Sequence, residues 1–162
     1  MGESDQVKID ELSCPEQFVL WTARSWVAAF KTRQPAFVHL RQGFEVAGIP
    51  DGLFALDELM GLLASAARRS LDFRCVKCRR LGGDEALLLH CLAACQAGHT
   101  ADIDRVLADW LPPAAARMAV RPVTVLATLL DGVGLRLPER FPMRGAELRA
   151  AAYADPGLQR LQ

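Results

Sequence analysis

From Ser13 to Leu130, apolar residues return every three or four positions, and most interruptions of that rhythm carry a proline or a glycine. The pattern constrains the chain more than any motif in it, because only a helix places residues so spaced on one face. Ser13-Cys14-Pro15-Glu16 reads as a capping box with proline in the first turn, where its missing N–H costs nothing. The helix it opens is expected to reach about Arg33. Phe18, Val19, Trp26, Val27 and Phe30 share its apolar side, with Arg24, Ser25 and Lys31 off that face. Such an aromatic-rich helix is expected to cross the centre of the core. Gln34-Pro35 ends it, since the residue before proline is pushed out of helical backbone.

The same reasoning carries down the chain. A second helix is expected from Pro35 to about Ala47, with Phe37, Leu40 and Phe44 on one side and Gly48 as its stop. Ile49-Pro50-Asp51-Gly52 is turn chemistry. A third helix spans about Leu53 to Arg69, carrying Leu56, Leu59, Met60, Leu63 and Ala67. The rhythm then changes. Leu71 to Cys75 alternates apolar and polar residues, as extended chain does, and Cys78 to Gly83 reads as a loop. Asp84 is the expected N-cap of a fourth helix that runs to Ala97 and stops at Gly98. Thr100 caps a fifth, whose apolar side is Ile103, Val106, Leu107, Trp110 and Leu111. A sixth begins at Pro112-Pro113, with Arg121-Pro122 expected to kink or divide it and Gly132 and Gly134 closing it. Residues 135–142 read as irregular, and a short helix is expected from about Gly145 to Ala154.

The fold class that follows is all-α: a single-domain bundle of six or seven helices with one short extended or loop insertion near residues 71–83. Residues 1–12 are expected as a solvated arm, 13–155 as the helical domain and 156–162 as a tail. A chain of 162 residues can bury about 70% of its unfolded surface, and its 51% hydrophobic content suffices for a core. Its 19 basic and 19 acidic side chains cancel, which removes the usual argument for a nucleic-acid binder. The N-terminal stretch MGESDQVKIDELS has no apolar segment of the signal-peptide kind, and Gln6 stands where a myristoylation signal needs Ser or Thr. No window is apolar for long enough to span a membrane. A cytoplasmic location with reduced thiols is the expectation, as the five cysteines are odd in number.

The sharpest chemical pattern is Cys75-x2-Cys78 followed, after twelve intervening residues, by Cys91-x3-Cys95. A C-x2-C turn lets two thiolates converge on one ion, and residues one helical turn apart project from one face. Cys75, Cys78, Cys91 and Cys95 are therefore the candidate metal ligands, with zinc the possible cofactor and His90 and His99 as nearby substitutes. Against this, Leu87, Leu88, Cys91, Leu92 and Cys95 form one apolar stripe, and free cysteine packs like a small hydrophobe. Cys75 and Cys78 also lie in a basic segment, where Arg68, Arg69, Arg74, Lys77, Arg79 and Arg80 face Asp72 alone. Positive neighbours favour a thiolate, so this pair is the candidate redox switch. As a phosphate or nucleic-acid patch the segment is thin, since Phe73 is its only aromatic residue, and a solvated charge run describes it better.

No catalytic set is legible. His39, Glu45, Asp57 and Glu58 suggest no acid–base pairing, and Asp84-Glu85 sits where a helix start favours acidic residues anyway. Trp21 and Trp26 point in different directions around their helix, so one of them is a candidate for an exposed partner contact. The leading expectation is a non-enzymatic helical protein working through protein–protein contacts, as a regulatory or accessory chain, with a protein partner or a second copy as ligand. The alternative is a small zinc-stabilised module or a thiol switch built on the cysteines.

Overall fold

The computed structural model describes residues 7–140. Six α-helices follow a 3₁₀ turn at Ile9–Glu11: α1 (Cys14–Lys31), α2 (Ala36–Val46), α3 (Gly52–Ala66), α4 (Gly83–Ala97), α5 (Thr100–Trp110) and α6 (Pro113–Gly132). The described residues hold no strand, only an isolated antiparallel bridge between Lys8 and Arg80. The all-α bundle expected from the periodicity is thus the fold. The short helix expected at Gly145–Ala154 and the tail at 156–162 lie outside the described residues.

Each helix starts or stops for a readable reason. At the head of α1, the backbone N–H and the hydroxyl of Ser13 both donate to the Glu16 carboxylate, at 2.7 Å each. Its far end closes when Arg33 turns left-handed at φ 55° and Gln34 N–H reaches back to the Ala29 carbonyl at 2.8 Å. α4 ends in the same way at Gly98, at φ 81°, with His99 N–H donating to the Ala94 carbonyl. α3 stops at Ala66, three residues before the expected end, and leaves Arg68 and Arg69 in the loop.

The centre of the bundle is α4, not α1. Ala86, Leu87, Leu88, Leu89, Cys91, Leu92, Ala93 and Ala94 are all buried, so this helix is covered nearly all round. It packs on α5 and α6, and α6 also lies along α3. α1 contacts α2 and α3 and touches α4 more lightly, so part of its aromatic face stays open: Trp21 is 40% and Phe30 58% exposed. α6 runs unbroken through Pro122, which is itself buried beside Ala119, Val123, Leu126 and Leu130. That apolar burial outweighs a helix penalty of about 3 kcal/mol for an interior proline.

Two polar clasps tie the ends down. Gln96 on α4 donates to the carbonyls of Ala127 and Leu135 and accepts the Leu137 N–H at 2.8 Å, fixing the chain beyond α6. Arg140 then pairs with the buried Glu16 carboxylate at 2.8 Å. Residues 7–12, expected as part of a free arm, lie along the 79–81 segment instead, through Ile9 N–H to Arg79 O and Leu81 N–H to Val7 O, and Leu12 is buried.

The two left-handed helix ends give opposite expectations. Gly98→Ala should lose about 1–2 kcal/mol, because a Cβ is disfavoured there. Arg33→Gly should gain up to about 1 kcal/mol by relieving the same conflict. Urea unfolding of the two variants beside the parent checks both signs.

Candidate functional site

The segment between α3 and α4, residues 67–82, has no regular structure, yet it is close to the bundle on one side. A loop this long needs partners for its backbone groups. Side chains supply them. Glu85, fully buried in the first turn of α4, accepts Arg24 Nε at 2.6 Å and the Arg74 N–H at 2.9 Å on Oε1. Its Oε2 accepts Arg24 Nη2 at 2.8 Å and the Gly82 N–H at 2.7 Å. Arg24, 3% exposed, uses its remaining donors on the loop carbonyls of Cys78 at 2.6 Å, Arg80 at 2.9 Å and Cys75 at 3.2 Å. Burial alone would pull its guanidinium pKa down. The hydrogen bond and charge of Glu85, with smaller contributions from Cys78 and Cys75, raise it instead.

Asp84 forms a second centre one residue earlier. Its Oδ1 accepts Arg69 Nη2 at 2.7 Å and the Trp110 indole N–H at 2.8 Å. Its Oδ2 accepts Arg69 Nη1 at 2.9 Å and the Asp72 N–H at 2.6 Å. Arg69 also reaches Asp109 at 2.7 Å, and Asp72 accepts the Gly83 N–H. Burial would push the Asp84 carboxyl up, but the Arg69, Asp72 and Trp110 hydrogen bonds and the Arg69 charge outweigh it and hold the carboxyl below its ordinary value. The loop comes so close that a Cβ on residue 82 would stand 2.4 Å from the Asp72 carbonyl oxygen, so only glycine fits.

These contacts correct three readings of the sequence. Arg24, expected off the apolar face of α1, is buried along with Leu20 and Ala23, because its guanidinium is spent on Glu85 and the loop carbonyls. Asp84 is not the N-cap of α4: Gly82 takes that place and the Asp84 side chain turns inward. The basic segment is only partly a solvated run. Arg69 and Arg74 are half-buried in ion pairs, Arg68 donates to the Ala108 carbonyl, and Arg79, largely exposed, meets Asp10 at 3.3 Å.

The four candidate cysteine ligands occupy two kinds of place. Cys75 is exposed and Cys78 half-buried, at the two ends of a turn closed by Cys78 N–H to Cys75 O at 3.0 Å. Cys91 is wholly buried in α4 and Cys95 half-buried on it. Burial pushes both α4 thiols up, Cys91 far above the ordinary range. Among the described residues, no three of His, Cys, Asp and Glu gather where they could hold a metal ion. His39 is exposed, whereas His90 and His99 face Asp102 at 3.9 Å and Glu139 at 3.6 Å.

An open apolar groove lies where α1, α3 and the start of the loop meet. Its free volume is about 310 Å³. Trp26 and Phe30 form one wall, their rings stacked at 5.2 Å and 12°. Met60 and Leu63 of α3 line it, and Leu71 and Phe73 close the loop side. Asp57 accepts the Trp26 indole N–H at 2.8 Å, which fixes the ring, while Phe30 stands out at 58% exposure. Lys31 and Arg69 are the charged residues of the lining, and no carboxylate contributes to it. Sequence periodicity assigned Phe30 to the core; in the last turn of α1 it stands at the rim instead, 58% exposed.

Comparison of the chain with models of protein families, with characterised proteins and with solved structures finds no match. Among the described residues, no helix is long and apolar enough to cross a membrane.

Breaking the buried pair from one side leaves an uncompensated charge. Arg24→Met or Glu85→Gln alone should each cost about 3–5 kcal/mol, and the double variant less than the sum of the two. A double-mutant cycle by urea unfolding reads the difference. The depressed Asp84 carboxyl adds stability that is complete above the unfolded value of about 3.9 and is lost as pH falls through the lower folded value. Asp84→Asn should therefore trail the parent at about pH 7, and the gap should narrow towards about pH 2. A gap constant across that range would contradict the linkage.

Proposed function

We propose that the chain acts by binding another protein, with the groove between α1 and α3 as the docking site and no catalysis of its own. The observation that carries this reading is the Trp26–Phe30 stack, held rigid by Asp57 at its inner end and open at its outer end. Aromatic side chains of this kind anchor interfaces, because they contribute large apolar area with little rotamer entropy to lose. A groove between two helices suits the apolar face of a partner helix, entering with two or three side chains.

The lining also favours a sign of charge. Lys31 is exposed and has no ion-pair partner among the described residues, whereas Arg69 in the lining is already paired with Asp84 and Asp109. An amphipathic helix with an acidic residue beside its apolar stripe fits this arrangement best.

A photo-crosslinking residue placed at Phe30 or Ala64 should give partner adducts, while one placed at the exposed Val133 should not. Phe30→Asp should leave the circular dichroism spectrum intact, since the side chain is already largely in water, and weaken partner binding by about tenfold or more. Equal adduct yields from all three positions would sink the groove as the docking site.

A further inference from the structure

We infer that Cys75 and Cys78 form a dithiol site that closes to an intramolecular disulfide on exposure to a small-molecule disulfide of the glutathione class. Three observations converge on this pair. The first is placement: the two residues are the first and last of a hydrogen-bonded four-residue turn, Cys78 N–H to Cys75 O at 3.0 Å. Such a turn brings its outer Cα atoms within about 7 Å, a span that overlaps the Cα separations of about 4.4–6.8 Å found across disulfides. The second is access. Cys75 is exposed and Cys78 half-buried, whereas Cys91 is sealed in the core; Cys14 at the head of α1 is exposed as well and Cys95 half-buried on α4, but neither shares a turn with a second cysteine as Cys75 and Cys78 do.

The third is support from below. Arg24, itself buried and locked to Glu85, donates to the carbonyl of Cys75 and to that of Cys78. The turn is therefore fixed from one side at both of its ends before any chemistry occurs, and little chain entropy remains to be lost on closing the ring. Both thiols carry their backbone inward, towards the guanidinium, and one of them is open to solvent.

The step balances as ordinary thiol–disulfide exchange. Cys75, the more accessible thiol, gives its proton to water, and its sulfur attacks one sulfur of the oxidant R–S–S–R. That S–S bond breaks, and RS⁻ leaves and takes up a proton. Cys78 then loses its proton and attacks the Cys75 sulfur, the mixed disulfide breaks, and a second RSH departs. Two protein thiols are oxidised, one small disulfide is reduced to two thiols, and no other reactant is needed. The segment that carries the pair also supplies Leu71 and Phe73 to the groove, so the modification falls on the same loop as the proposed docking site without depending on it.

The full chain, reduced and then equilibrated in mixtures of reduced and oxidised glutathione, tests this by intact mass after acid quenching. The expected result is loss of two hydrogen atoms and of two titratable thiols. Trypsin, cutting after Arg74, Lys77 and Arg79, should release the bridge as two short joined peptides. Cys75→Ser and Cys78→Ser should each keep a glutathione adduct on the remaining cysteine of the pair and never show the two-hydrogen loss, and Cys14→Ser should form the bridge as the parent does while losing any adduct at the exposed Cys14. Stable glutathione adducts on the parent without ring closure would overturn the inference, as would both thiols staying reduced in fully oxidised glutathione. So would a bridge that forms only in denaturant.

Discussion

A guanidinium and a carboxylate shut away from water hold the long irregular segment at 67–82 against the helices. Isolated, either Arg24 or Glu85 would be too costly to bury. Together they satisfy each other through two hydrogen bonds, and the donors and acceptors left over are spent on backbone: three loop carbonyls for Arg24, two loop N–H groups for Glu85. The pair also joins α1 to α4, two helices that otherwise touch lightly. A buried pair of this kind adds less net stability than its distances suggest, since desolvation offsets most of the attraction. Its contribution is to fix which part of the loop lies over which part of α1.

Glu85 shows how local and long-range requirements can share one side chain. At the third position of α4 it accepts the N–H of Gly82, as a capping glutamate does, and from that same position it meets Arg24. Asp84 beside it does the parallel work for Arg69 and Trp110. The start of the central helix is thus where α1, α5 and the loop are brought into register. The groove depends on this indirectly, because Leu71 and Phe73 can form its wall only while the chain around them is pinned.

Much of the architecture was legible in the residues. Capping at Ser13 and Glu16, the left-handed stop at Gly98 and the apolar stripe of α5 appear where periodicity and turn chemistry put them, because each depends on near neighbours in the chain. What was hidden depends on residues far apart. Arg24 and Glu85 are 61 positions apart, and nothing in either neighbourhood marks them as partners. A charged residue next to Leu20 and Ala23 in an apolar helix was the available signal, and a reading by one helix face sets it aside. Phe30 failed in the opposite sense. Its spacing places it with Val27 and Trp26, but spacing cannot say how far along a helix its neighbours extend. The candidate cysteines divide for the same reason: Cys91 follows the stripe of α4 into the interior, while Cys75 and Cys78 follow the loop out to solvent.

The bond between Arg140 and Glu16 has a topological consequence. The carboxylate that caps the first helix is also the anchor for Arg140, so the head of α1 and the chain beyond α6 meet at one place. Six described helices whose first head and last exit meet form a unit that a chain can enter and leave through a narrow gap. It can be spliced into the loop of a host protein, or its ends can be fused and new ones opened at the Pro50-Asp51 turn, without unthreading any helix from the bundle.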